Sequence, residues 1–105
     1  MVTFDGSEGK EIPATQAAEW TANYQAANPK EICAYYIGCD LINDILKQDG
    51  CVGIRMYNAL TDDTPPQQQL VIVGVKSDGT DMTDGIIADD CLTCPPVCDT
   101  TSILY

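Results

Sequence analysis

Histidine is absent from this 105-residue chain, arginine occurs once, and tryptophan and phenylalanine occur once each. Each shortage excludes something. Without histidine there is no Ser–His or Cys–His dyad and no imidazole ligand for a metal. Five basic residues against sixteen acidic ones leave a formal charge of -11. Such a field repels phosphate backbones, so no nucleic acid is expected among the partners. No apolar run approaches the length of a bilayer span, so no membrane insertion is expected. Glycine-rich phosphate loops are also missing, since Gly53 and Gly74 stand alone in β-prone runs. The opening residues, 1–10, lack the basic and apolar regions of a secretory signal. A cytoplasmic location is the resulting expectation, with export by a route lacking a cleaved signal left open.

The chain is organised around residues 51–76, where two runs rich in Val, Ile and Tyr flank a polar loop, 61–68, containing Pro65 and Pro66. This is the pattern of a β-hairpin, with the prolines kept out of the ladder. In the first run Val52, Ile54 and Met56 alternate with Gly53, Arg55 and Tyr57, as in a half-buried strand. The second, 69–76, places Val71, Val73 and Val75 on one face and Leu70 and Ile72 on the other, which requires cover on both faces. A hairpin alone is marginal in water, so a third strand is expected, and 86–88 is a candidate.

Ahead of the hairpin, Pro13 opens a helical pattern that ends at Asn28-Pro29, with Ala17, Trp20, Tyr24 and Ala27 as its apolar stripe. That spacing predicts Trp20 and Tyr24 buried against the sheet. Residues 30–37 read as extended. A second helix over 39–48 turns Leu41, Ile42, Ile45 and Leu46 inward and is closed by Gly50. Residues 2–4 form a candidate edge strand. The expected core joins Val52, Ile54, Met56 and Val73 to Trp20, Leu41 and Ile45.

Six cysteines carry the remaining information. Cys91, Cys94 and Cys98 cluster in a Pro-containing tail, while Cys33, Cys39 and Cys51 are scattered. In a metal reading the tail thiolates and Cys51 or another distant Cys hold zinc or, less fittingly, an iron–sulfur group, although no second close pair and no histidine assist. In a disulfide reading the six form up to three bridges that staple the tail, in any of fifteen connectivities. In a third, Cys33, Cys39 and Cys51 are simply small buried apolar residues. A redox Cys-x-x-Cys centre is weaker, because Pro95 and Pro96 follow Cys94 and no βαβ unit precedes it. The acids of 77–85 lack the closing Glu of a calcium loop and read as Asp-Gly turns.

Several stretches together carry a resemblance: Glu19-Trp20-Thr21, Asn23-Tyr24, Ile42 to Leu46, Gly50-Cys51-Val52-Gly53-Ile54-Arg55-Met56-Tyr57, Val73-Gly74-Val75 and Cys94-Pro95. With these the chain resembles a group of small bacterial proteins of about this length. The group has no assigned activity, so the resemblance implies no catalytic residues and no cofactor.

The expected architecture is α+β: two helices packed on a short antiparallel sheet built around a β-hairpin, with a Cys/Pro-rich carboxyl tail. It forms one domain over 1–105, divided into a body of 1–90 and a tail of 91–105. The expected role is non-enzymatic, a structural or self-assembling protein whose partner is itself, as homo-oligomer or polymer. Arg55, Tyr57, Ile103, Leu104 and Tyr105 are the candidate assembly contacts, the last three as an apolar end that adds to a neighbouring subunit. Arg55, the single guanidinium, is expected to form an ion pair between elements or subunits. No cofactor is expected; the alternative is a Cys-thiolate zinc or redox module.

Overall fold

The computed structural model describes residues Thr3 to Tyr105. The fold is α+β, with two helices and two small antiparallel sheets in the order α1 (Ala14–Ala27), β1 (Ala34–Tyr36), α2 (Cys39–Leu46), β2 (Cys51–Leu60), β3 (Gln68–Lys76), β4 (Ile87–Ala88) and β5 (Leu92–Cys94). The chain divides into two compact units, each built from separated segments: residues 1–8 with 37–91, and residues 9–36 with 92–105. The sequence boundary between body and tail coincides with neither unit, since Cys91 belongs to the first and β5 to the second.

The first unit is the hairpin and what covers it. β2 and β3 pair antiparallel from Cys51 opposite Lys76 to Leu60 opposite Gln68, with a bulge between Cys51 and Gly53, and β4 adds to the far side of β3. The third strand demanded by the doubly apolar β3 is therefore present, and Ile72, Val73, Gly74 and Val75 are buried in succession. Register fixes the faces, because directly opposed residues share one. Ile54, Ile72, Gly74 and Ala88 lie on one; Arg55, Tyr57, Val73 and Val75 lie on the other.

Helix α2 packs on β2 and β3, with Ile45 completely buried. It ends at Leu46 with Lys47 as its cap, so Gly50 does not close the helix as expected; its φ of 85°, which glycine adopts without strain, serves the following turn, in which the Cys51 N–H bonds to the Gln48 carbonyl. Just beyond the helix, Gln48 donates from Nε2 to the Ile45 carbonyl and accepts the Ile86 N–H on Oε1. It lies over the bare backbone of Gly74, where an added Cβ would stand 3.0 Å from both Gln48 Nε2 and Cys51 Sγ. The opposite face is approached by the amino-terminal segment. Phe4 donates its N–H to the Ser77 carbonyl, and the Arg55 guanidinium lies 5.7 Å from the centre of its ring. Of the expected strand at 2–4, Val2 lies outside the described residues, and Thr3 and Phe4 are irregular.

The second unit pairs β1 with β5, Ala34 opposite Cys94 and Tyr36 opposite Leu92. The extended reading of 30–37 holds for β1, whereas β5 was not anticipated in the tail. The start of α1 after Pro13 and its end at Asn28 are as expected.

The expected core needs correction in four places. Among the described residues α1 has none buried, and Trp20 and Tyr24 are 54% and 46% exposed. Its better covered residues are Gln16, Ala17, Ala18, Thr21 and Gln25, small and polar side chains. Met56 is 57% exposed; it lies opposite Ile72 on β2, the edge strand of its sheet, whereas Ile72 on the central strand is buried. Leu46, in the last turn of α2, is exposed as well. Finally, Ile54 and Val73 face opposite sides of the sheet, so they belong to two apolar layers instead of one.

Candidate functional site

Two clusters bring reactive or charged groups together, one in each unit. In the first unit β2 presents Arg55 and Tyr57 two residues apart on one face, and the segment after β3 returns along that face through the bridge of Val75 with Asp81. Asp81 accepts from Arg55 Nη1 at 2.5 Å on one carboxylate oxygen and from the Tyr57 hydroxyl on the other. Arg55 Nη1 also donates to the Gly79 carbonyl at 3.1 Å. The expected ion pair between elements is thus made within the chain. The Tyr57 hydroxyl, and after it Arg55, hold the Asp81 carboxyl below its ordinary range, and the same contact pushes the Tyr57 hydroxyl up. A cavity of about 350 Å³ opens beside Arg55, lined also by Phe4, Glu8, Val52 and Ile54. Arg55 Nη1 is engaged by Asp81 and Gly79, and the guanidinium, lying over Phe4, forms one wall of that cavity.

The second cluster is sulfur. Cys94, at the end of β5, is buried and forms a disulfide with Cys98 four residues later. Cys33, one residue before β1, donates its backbone N–H to the Cys94 carbonyl at 2.8 Å, and its Sγ lies 3.6 Å from Cys94 Sγ. Since Cys94 carries no proton, the Cys33 thiol is the donor of that contact. These three cysteines line a cavity of about 290 Å³ together with Thr21, Gln25, Val97, Asp99 and Leu104. The covered face of α1 therefore serves this cavity. Gln25 Nε2 also donates to the Leu104 carbonyl at 2.9 Å, and Ser102 Oγ accepts from the Leu104 N–H.

The remaining cysteines lie apart from this group. Cys91 is free and buried; burial, then Asp89 and Asp90, push its thiol up. Its own backbone is held by Gln69, whose side-chain amide accepts the Cys91 N–H and donates to its carbonyl. Cys51 donates to the Gly53 carbonyl within the bulge, and Cys39 is exposed at the start of α2. A disulfide in the tail was expected, but the roles of two residues are exchanged. Cys91 packs as an apolar group, and Cys33, read as such a group, stands at the disulfide. Nor is the zinc set of Cys91, Cys94 and Cys98 assembled, since two of its sulfurs are bonded to each other. Among the described residues no group of three or more Cys, Asp or Glu is placed to hold a metal. Of the acids of 77–85, Asp78 is taken up by Thr80 and Asp81 by Arg55 and Tyr57.

The carboxyl end, 100–104, is a series of turns in place of a strand, so addition of an extended terminus to a sheet edge is not its form here. Its backbone is held by Gln25, while the side chains of Ile103, Leu104 and Tyr105 remain exposed. Among the described residues no helix is long and apolar enough to cross a membrane.

No family model, no curated protein and no solved structure matches the chain.

Proposed function

We propose that this chain is a self-assembling structural protein whose copies associate through the unit that contains α1, β1, β5 and the carboxyl terminus. The observation that carries the reading is a mismatch between apolar surface and charge. Trp20, Tyr24, Tyr36, Leu92, Val97, Ile103, Leu104 and Tyr105 are all exposed in this unit, and among its described residues Cys94 alone is buried. A helix of 14 residues with no buried side chain gains little from packing within its own chain, and isolated helices of that length are marginal. The exposed halves of these side chains supply apolar area toward a stable interface, which takes roughly 800 Å² per partner.

Charge favours a second copy as the occupant. Of the sixteen acids, twelve lie in the hairpin unit; the second unit has Glu11, Glu19, Glu31 and Asp99 against Lys10 and Lys30. Two copies meeting through the second unit thus join nearly neutral surfaces.

Light scattering across a concentration series tests the reading. The expected result is a mass of two or more chains that falls to one chain in the Trp20→Glu/Tyr105→Glu variant, with the circular dichroism spectrum retained. A single-chain mass for the natural sequence at its highest soluble concentration overturns it.

A further inference from the structure

A free thiol stands against the Cys94–Cys98 disulfide, and the backbone holds it there. Ala34 is the register partner of Cys94, and the N–H of Cys33 bonds to the Cys94 carbonyl, so the short β1–β5 ladder sets the 3.6 Å separation of the Cys33 and Cys94 sulfurs. Thiol–disulfide exchange requires a thiol beside one sulfur of a disulfide, a second sulfur able to leave, and access for an incoming partner. The first two requirements are met by Cys33, whose sulfur lies 3.6 Å from Cys94 Sγ, and by Cys98, bonded to it. The third is met by the cavity of about 290 Å³ on which all three open.

We infer that Cys33, Cys94 and Cys98 form a thiol–disulfide exchange site that takes a compact external disulfide. The site goes beyond the assembly reading: every sulfur belongs to one chain, but Val97, Leu104 and Tyr105 line both the cavity and the proposed association surface, so exchange belongs to the dissociated chain and is measured at a concentration where light scattering gives a single-chain mass.

In the first step Cys33 gives its proton to solvent and its thiolate attacks Cys94 Sγ. The Cys33–Cys94 bond forms, the Cys94–Cys98 bond breaks, and the electron pair leaves on Cys98 Sγ. One disulfide and one thiolate enter and leave, so no oxidant or reductant is consumed. In the second step the Cys98 thiolate attacks an external disulfide, forming a mixed disulfide on Cys98 and expelling the other half as a thiolate. Asp99 adjoins the released sulfur and lines the cavity. The hydroxyl and N–H of Thr101 donate to its carboxylate and keep it ionised. A cationic disulfide such as cystamine is therefore favoured over an anionic one such as oxidised glutathione.

The experiment treats the oxidised full-length chain with excess cystamine at mildly alkaline pH, quenches with acid and maps the adducts by peptide mass spectrometry. The expected product carries cysteamine on Cys98 and a Cys33–Cys94 disulfide, and it forms at a rate independent of protein concentration. Cys33→Ser should reduce the Cys98 adduct at least tenfold while leaving the adduct on exposed Cys39 unchanged. Cys98→Ser should form the Cys33–Cys94 disulfide directly on mild oxidation. An adduct confined to Cys33 with Cys94–Cys98 intact overturns the inference, as does a Cys98 adduct undiminished by Cys33→Ser. Failure of Cys33 and Cys94 to pair in Cys98→Ser does the same, and because it is read on the sulfurs alone it is independent of the mass measured for assembly.

Discussion

Gly74 is the position where a single methyl group should be felt most directly. Its missing side chain leaves room for Gln48, and Gln48 in turn satisfies both the Ile45 carbonyl and the Ile86 N–H. Gly74→Ala should destabilise the fold by about 1–3 kcal/mol through overpacking, read as a lower urea midpoint with an unchanged slope. Asp81 offers a pH test at the same scale. Its folded carboxyl lies below its ordinary value of about 3.9, so its contribution is complete above that value and is lost as pH falls through the lower, folded one. Melting temperature measured from pH 6 downward should fall more steeply for the natural chain than for Asp81→Asn. Thiol reactivity should follow exposure: toward a mild alkylating reagent Cys39 reacts first, and Cys91, buried and raised by burial and its two acidic neighbours, reacts last. Equal rates at these two residues, followed by peptide mapping, would contradict the placement of Cys91.

Between elements, the decisive link is the ladder that joins β1 to β5. The present disulfide spans a separation of 4 residues, whereas the exchanged one, Cys33–Cys94, spans 61. Because a cross-link acts on the unfolded chain through loop closure, the longer loop should stabilise the fold by about 2 kcal/mol more than the shorter one. Oxidised Cys98→Ser should accordingly melt at a higher temperature than Cys33→Ser, which retains Cys94–Cys98; the reverse order in calorimetry would show the longer bridge to be strained. Elements with strong periodicity were legible in the sequence: the hairpin, the body of α2, and the third strand required by the apolar run of β3. The inward side of α1 was not, because Trp20 and Tyr24 dominate any hydrophobic pattern while the covered residues are Gln16, Ala17, Ala18, Thr21 and Gln25. A polar pair four residues apart, facing a cavity and a chain terminus, leaves no apolar signal to read. The same limit applied to the sulfurs. Spacing drew attention to Cys91 with Cys94, but the residue set against Cys94 is Cys33, brought there by a strand pairing across most of the chain. Cysteine spacing reports sequence distance, and only the register of β1 with β5 converts it into proximity.

For the molecule as a whole, the division of charge predicts how association responds to salt. At about 0.1 M ionic strength the screening length is roughly 10 Å, so the repulsion between two chains of charge -11 is reduced beyond that distance while apolar contacts are untouched. Raising salt from low to moderate concentration should tighten self-association severalfold in sedimentation velocity. Weakening on addition of salt would indicate an interface held by ion pairs. The interleaving of the two units along the chain also has a consequence for synthesis. Residues 37–91 carry α2, the hairpin and β4 as one continuous stretch, whereas α1 and β1 complete their unit only with residues 92–105. Contacts between such distant segments carry a closure cost that nearby ones do not, and on the ribosome the later segment does not yet exist. The amino-terminal helix is thus among the first parts made and among the last to settle, and its unit is the one a stalled or clipped chain would lack.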